Sequence, residues 1–585
     1  MIPEVRKTKK NVKALAAAGL LLLTQTTFAS ASQDAYSQKV TWAKQGWSQK
    51  TRDFYHFASQ GTYLTQADWF LALELPNSTV LISDPVYLTG LGFMVEPKSA
   101  ANPLGLPVGL ALGTAPTTNM ISVQNSVGLT CAACHSGQIT YGGKTIRFDG
   151  LGAIADVTAF ANAITASIVQ TYNDPAKWDR FSHRVLGTNY NQTTNQALQT
   201  SFSSQVNGIE WVQNNTNSAA IFPVTPGYGR NDAIASIGNN VFGKDLRTPS
   251  NYHVANANVS FPFLWDAWKF DWVQYDASVT QPMQRNVGEA LGVGALTNYL
   301  TNGTPTPLPD KWKSSTNIYN LASIETNLES LKAPVWPNEL FGNFNAGLAK
   351  KGRTLFNDQC GKCHAPTPIK GVGSRYVKLA AYIMPLKDIS TDPLRTVNAS
   401  TARFDPSNLL GIPSSPQIDL SHGLDIVTEG AKQYFYDQEH LTFKQESNLN
   451  GNRPPIAKFQ NQQYKARTLD GVWATAPYLH NGSVPNMYEL LSPVEQRSKQ
   501  FWVGLSDYDP ILMGVGPKQN PLGFLMDTTL AGNSNTGHEF KDGGGPGVVG
   551  RLLTHDEKMA IIEYLKAITV MPPAKQPAKT LDWYY

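Results

Sequence analysis

Charge is scarce in this chain: Asp, Glu, Lys and Arg make up 16% of its 585 residues, and the formal balance is only +4. No Lys/Arg cluster lies beyond the extreme N-terminus, which excludes nucleic acid as a partner. Long apolar runs are missing too. The most apolar stretch, Ala14 to Leu23, falls short of the roughly 20 residues that span a bilayer and breaks at Thr24-Gln25-Thr26-Thr27. It follows Arg6, Lys7, Lys9, Lys10 and Lys13 and precedes Ala29-Ser30-Ala31, a small-x-small pattern. Residues 1–31 are therefore expected to be a signal peptide removed after Ala31. The mature chain is expected to be periplasmic or secreted, with no membrane span.

Cysteine is the scarcest chemistry-bearing residue, at four in all. All four are spent on one pattern used twice: Cys131-Ala-Ala-Cys134-His135 and Cys360-Gly-Lys-Cys363-His364. An exported chain would ordinarily pair four cysteines as two disulfides. A histidine directly after each pair points instead to covalent haem c attachment. Two thiols reach the two vinyl groups on one porphyrin edge, and the next residue turns its imidazole onto the iron. Zinc would want four converging ligands and leaves both histidines unexplained; a thioredoxin-like redox pair needs no histidine. The expected cofactors are two haem c groups, with His135 and His364 as the proximal iron ligands. The motifs sit in different halves of the chain, too far apart for one small cytochrome unit.

The expected fold is mainly α with extensive loops, in two cytochrome c-like haem domains. A boundary is placed at Pro334-Val-Trp-Pro337, giving an N-terminal haem domain over 32–337 and a C-terminal cytochrome domain over 338–585. In the second half, Asn345 to Phe356 reads as a helix delivering the chain to Cys360, with Leu348, Leu355 and Phe356 on one face. Near the end, Thr554 and Glu557 form a capping box before Ile561, Ile562, Leu565 and Ile568 at helical spacing. In the first half, Ala153 to Ile168 looks helical, whereas residues 185–260, rich in Asn, Thr, Ser and Gly, read largely as long loops. Gly227 to Asp232 forms a glycine turn presenting Arg230. Phe261 to Trp272 concentrates aromatics, as core or as the apolar wall of a cavity.

The sixth iron position decides function, because an iron closed by His or Met moves electrons and an open one binds small oxidants. In the loop before the C-terminal helix, His538 is the expected distal ligand of the second haem, with Met526 and Met513 as rivals. His480, in a proline-bracketed loop ending His-Asn-Gly-Ser, has a rigidly held imidazole that orients propionates, relays protons or bridges the haems; the residues alone do not choose. Near the first haem only His183 and His253 offer further imidazoles, and neither sits in a familiar ligand loop.

The segment Tyr464-Lys-Ala-Arg467-Thr-Leu-Asp-Gly-Val-Trp473-Ala-Thr-Ala-Pro-Tyr-Leu-His480-Asn-Gly-Ser-Val-Pro resembles the signature of di-haem cytochrome c peroxidase-like proteins. With Phe270-Asp-Trp272-Val-Gln-Tyr275 and Arg285-Asn-Val-Gly-Glu-Ala-Leu291 it is similar to the branch of the rubber oxygenases and di-haem fatty-acid dioxygenases. The resemblance covers most of residues 80–570 in motif order. It implies an N-terminal haem, held by His135, that is the O₂ site and has no protein ligand on its far side. It also implies a C-terminal haem closed by His364 and His538, and a catalytic-pocket tryptophan matched by Trp272. The family's distal phenylalanine falls on Val287, a departure that leaves the exact reaction open.

Three functions follow, in this order. The first is an O₂-dependent oxygenase acting on an apolar unsaturated substrate, a fatty acid or polyisoprene, along the aromatic wall, with Trp272 and His480 as catalytic-site residues. The second is a peroxidase reducing H₂O₂, with electrons from a small donor protein; its distal Glu or Gln is not located from the sequence. The third is a non-enzymatic electron carrier with both irons closed.

Overall fold

The computed structural model describes residues 30–580 except 115–116, 118, 371–376, 460–461, 506 and 517–521. All but the last two positions of the expected signal segment lie outside the described residues. Helix accounts for 42% and strand for 15%, so helices dominate, with many short two-stranded pairs between them. No helix among the described residues is long and apolar enough to cross a membrane.

The first half opens with β1 (Lys39–Trp42) and α1 (Gln49–Phe57). β2 (Ser136–Tyr141) and β3 (Lys144–Asp149) then complete a small sheet of order β1-β3-β2, with β1 parallel and β2 antiparallel to β3. The first cysteine pair sits immediately before β2. Thr130 caps a single 3₁₀ turn, Cys131–Ala133, and the His135 amide donates to the Cys131 carbonyl at 2.9 Å. Gly109 lies against this turn with φ +93°, and a Cβ there would fall 2.2 Å from the Ala133 Cα. Only glycine permits both the left-handed backbone and that approach.

Three helices follow: α2 (Val157–Asn173), α3 (Pro175–Leu186) and α4 (Gln192–Asn215). The first begins and ends a few residues later than expected, because Asp156 caps it by accepting from the Ala159 amide at 2.8 Å. The last is a correction, since 24 residues within the supposed loop region 185–260 are helical. Asn191 and Thr194 form a reciprocal capping box, each side chain accepting from the other's amide at 3.0 Å. Leu198, Phe202 and Val206, at i, i+4 and i+8, then bury one narrow stripe against Phe160, Trp178 and Phe181.

Across the middle run α5 (Pro282–Gly292), α6 (Ile318–Leu328), α7 (Ala346–Gln359), β4 (Tyr382–Pro385), α8 (Leu420–Gln438) and β5 (Gln463–Ala466). β4 and β5 are antiparallel, with Ile383 opposite Lys465. The chain closes on α9 (His555–Ala567), which carries the expected capping box: Thr554 Oγ1 accepts from the Glu557 amide and Glu557 Oε2 from the Thr554 amide.

α7 and α9 cross as the cytochrome reading requires. Phe356 meets Tyr564 with ring centroids 5.1 Å apart, and Gly352 touches the α9 backbone so closely that a Cβ would lie 1.9 Å from the Ala560 carbonyl. The buried face of α7 is Ala349, Gly352 and Phe356; Leu348 and Leu355, expected on that face, are only half-buried. Hydrophobic cores draw from both sides of position 337: one joins Met283 and Val287 to Val427 and Phe435, another joins Phe148 and Trp265 to Trp473 and Ile561.

Candidate functional site

Two cavities of similar size open in the molecule, and each is lined by one Cys-x-x-Cys-His motif. All four cysteines are free thiols. Burial pushes Cys131, Cys134 and Cys360 up to about 12, so they are held neutral rather than as metal-binding thiolates. Among the described residues no group of three His, Cys, Asp or Glu side chains converges as a metal site.

The C-terminal cavity contains Cys360, Cys363, His364 and His538. His364 follows the short helix turn Gly361–His364, and its Nδ1–H donates to the Arg467 carbonyl at 2.8 Å. Its Nε2 is thereby left unprotonated, as a metal ligand must be. The His538 ring faces it with centroids 6.1 Å apart at 60°. One metal atom fills such a gap when it bonds each imidazole at roughly 2 Å. The His538 loop is pinned by Arg497, whose guanidinium donates to the carbonyls of Gly537 and His538, each at 2.9 Å. Burial, with His364 and Arg497 adding to it, pushes His538 down to about 3, and burial also lowers His364. Burial thus favours the neutral form of both imidazoles, and His538 Nδ1 is buried with no partner among the described residues. Met526 and Met513, the rival ligands, are buried elsewhere: Met526 packs under Arg230 and Met513 lies in the cytochrome core.

His135 holds the corresponding place in the N-terminal cavity. Its Nδ1–H donates to the Pro262 carbonyl at 2.7 Å, its own carbonyl accepts from Tyr55 Oη at 2.9 Å, and burial lowers it to about 4. No second histidine and no methionine line this cavity among the described residues. His183 is stacked on Tyr190 near the surface, and His253 donates from its ring to the Arg403 carbonyl.

Instead the wall carries polar groups that sequence reasoning missed. Gln274 Nε2 donates to Glu289 Oε1 at 2.9 Å, and Arg285 pairs with Glu325 at 2.6 Å. Burial raises Glu289, against the pull of Arg285. The available signal was Glu289 in Gly-Glu-Ala-Leu on α5, a carboxylate among residues otherwise buried on that helix. Val287 itself is fully buried in the core beneath.

Ser260, Phe261, Pro262, Phe263, Tyr275, Lys465 and Arg467 line both cavities. Of the aromatic block expected near the first motif, Phe261 and Phe263 thus stand in the partition between the two sites, while Trp265 and Phe270 are buried in the cores. Trp272, expected in the first pocket, is half-buried and is not among its lining side chains, although Val273, Gln274 and Tyr275 are. Its carbonyl accepts from Lys465 Nζ at 3.2 Å. His480 lines the C-terminal cavity and not the N-terminal one. Its ring stacks on Tyr464 at 4.3 Å, and burial lowers it to about 3.

The residues fit haem c. Each cavity has the thiol pair, a neutral imidazole oriented by a backbone carbonyl, and a mostly apolar surround. Lys465 and Arg467 are half-buried basic groups at the partition, pushed down to about 7 and about 10 by desolvation. Such cations call for anions, and haem propionates are anions of that kind.

A family profile described as RoxA-like, cytochrome c-like matches residues 463–503, the stretch holding Lys465, Arg467 and His480. Uncharacterized protein y4iJ of Sinorhizobium fredii (strain NBRC 101917 / NGR234) is 35% identical over 599 aligned positions, covering 95% of this chain and 97% of the relative. Uncharacterized protein y4iM of the same organism is 25% identical over 299 positions, covering 48% of this chain and 56% of the relative. The chain therefore belongs to the y4iJ family, and its RoxA-like, cytochrome c-like segment marks it as a haem-containing oxidoreductase.

Proposed function

We propose that the protein is an exported di-haem c-type oxygenase, in which the N-terminal site uses O₂ on an apolar unsaturated substrate and the C-terminal site sets its oxidation state. The observation that carries this reading is the asymmetry of the cavities: two facing imidazoles in one, a single imidazole in the other. His135 and His364 would each hold a haem from one side, the four cysteines would fix them, and His538 would close the second. Haem supplies a redox-active iron whose sixth position, when left free by the protein, takes a small oxidant. The chain's own residues orient the imidazoles through the Pro262 and Arg467 carbonyls and surround the N-terminal site with Phe261, Phe263 and Val273. Trp272 is assigned an indirect part, through the carbonyl that holds Lys465, and His480 is assigned the packing of Tyr464 at the partition.

The Gln274–Glu289 pair favours a second reading, a peroxidase. A carboxyl whose pKa burial raises is better suited to give a proton to a departing oxygen, and general acid catalysis of this kind is worth about 10²–10⁴-fold. One preparation distinguishes the two. O₂ uptake with oleate or polyisoprene latex, and no H₂O₂ turnover, supports the oxygenase. H₂O₂ consumption coupled to oxidation of a reduced donor, without O₂ uptake, replaces it with the peroxidase.

A further inference from the structure

The two histidines that follow the cysteine pairs are joined by a continuous run of covalent and hydrogen bonds. His135 donates from Nδ1 to the Pro262 carbonyl at 2.7 Å. The next carbonyl along the chain, that of Phe263, accepts from the Arg467 guanidinium. The Arg467 backbone carbonyl in turn accepts from His364 Nδ1 at 2.8 Å. One arginine thus reaches one ligand-bearing segment with its side chain and the other with its backbone.

The run is also held stiffly. The guanidinium lies over the Phe263 ring at 3.6 Å. The Phe263 ring also stacks on Trp265 at 4.6 Å and 17°, and Trp265 Nε1 donates to the Asp470 carbonyl at 2.7 Å. Trp265 is fully buried and Phe263 nearly so. A planar guanidinium is suited to this position because it stacks and donates at once, which an ammonium cannot do.

We propose that Arg467 is a positioning residue that couples the two sites, and that an electron exchanged between them travels through Pro262, Phe263 and Arg467. The step moves one electron from the reduced to the oxidised site; no bond forms or breaks and no proton is transferred. The carbonyl that each ring N–H meets also sets the basicity of that imidazole toward a metal; Arg467 supplies that carbonyl to His364 and holds the peptide next to the one that His135 meets. This proposal rests on the di-haem reading above.

The test uses the haem-loaded full-length protein with Arg467→Gln and Arg467→Lys. A flash-generated reductant delivers less than one electron per molecule, and redistribution between the two sites is followed by their separate absorption bands. Haem content and the low-spin signature of the second site are measured alongside. The expected result is redistribution slowed by about tenfold, the lower end of what loss of an outer-shell partner does, with both haems and the low-spin signature retained. Arg467→Lys keeps the charge and carries the test should Arg467→Gln lose a haem. Variants that redistribute at the wild-type rate overturn the bridge and leave the di-haem reading standing. A wild-type protein with two haems that exchange no electron overturns both the bridge and the assigned role of the second site.

Discussion

The two cavities share a wall, a similar volume and the same five-residue motif, yet they are built in different ways. The C-terminal one lies against a helix crossing and two loops of the second half, and it presents two imidazoles to each other across 6.1 Å. The N-terminal one is assembled from pieces between Gln60 and Arg467 and presents one imidazole plus the half-buried Gln274–Glu289 pair. The shared motif is therefore no guide to what faces it. What differs is the far side of each site, and that side is supplied by residues remote from the motif.

The largest expected effect comes from erasing the difference. On the proposed di-haem reading, His538→Ala should convert the second haem wholly from low spin to a form that binds CO, while the first is unchanged; absorption and electron paramagnetic resonance spectra read this directly. An unchanged second haem would place its ligand elsewhere and remove the asymmetry. The reverse test is Glu289→Gln, which keeps the hydrogen-bonding shape and removes the acid. If the N-terminal site works by proton delivery, H₂O₂ turnover should fall by about 10²-fold or more with both haems retained. O₂ uptake that survives the substitution would assign the site to the oxygenase reading without Glu289.

How much of this contrast was legible follows from the range of the interactions involved. The cysteine motifs depend on five consecutive residues, and the cap of α9 on Thr554 and Glu557, so both could be read locally. His538 was reachable because its loop precedes a recognisable helix. α4 was not, because its apolar stripe of Leu198, Phe202 and Val206 is one residue wide in a strongly polar segment, and composition outweighed periodicity. The Gln274–Glu289 pair and the Lys465–Arg467 cations acquire meaning only when β5, α5 and the 260–275 segment meet at the partition. Trp272 was expected in that wall, yet Val273 to Tyr275 line the cavity while its indole does not. Aromatic density alone did not fix which side chain points inward.

Gly352→Val sharpens the comparison at the level of scaffold. The new side chain collides with the Ala560 carbonyl, so α7 and α9 must separate. Overpacking of this kind costs about 1–3 kcal/mol or more where backbone must move. Thermal unfolding followed at the second haem's absorption should shift to lower temperature before that at the first. Coincident shifts at both haems would show that the shared cores make the two sites one cooperative unit.

The smallest effect is expected in the helical layer of the first half, where an ion cluster does what the helix crossing does in the second. Glu74 is buried and receives Arg180 at 2.7 Å, Arg184 at 2.8 Å and Lys177 at 3.5 Å, three cations from one face of α3. Hydrogen bonding from Arg180, the leading cause, holds the Glu74 carboxyl down at about 2 against an ordinary 4.5. A depressed carboxylate stabilises the fold above its unfolded pKa and loses that contribution as pH falls through the folded one. Glu74→Gln should therefore cost about 2 kcal/mol at neutral pH, somewhat less than the full shift implies because both arginines are partly exposed. The difference in melting temperature between variant and wild type should be constant above about pH 4.5 and close as pH falls toward 2. A gap that persists unchanged at the lowest pH would mean that Glu74 acts through packing rather than charge. Leu198, Phe202 and Val206 against Phe160, Trp178 and Phe181 would then be what holds this layer.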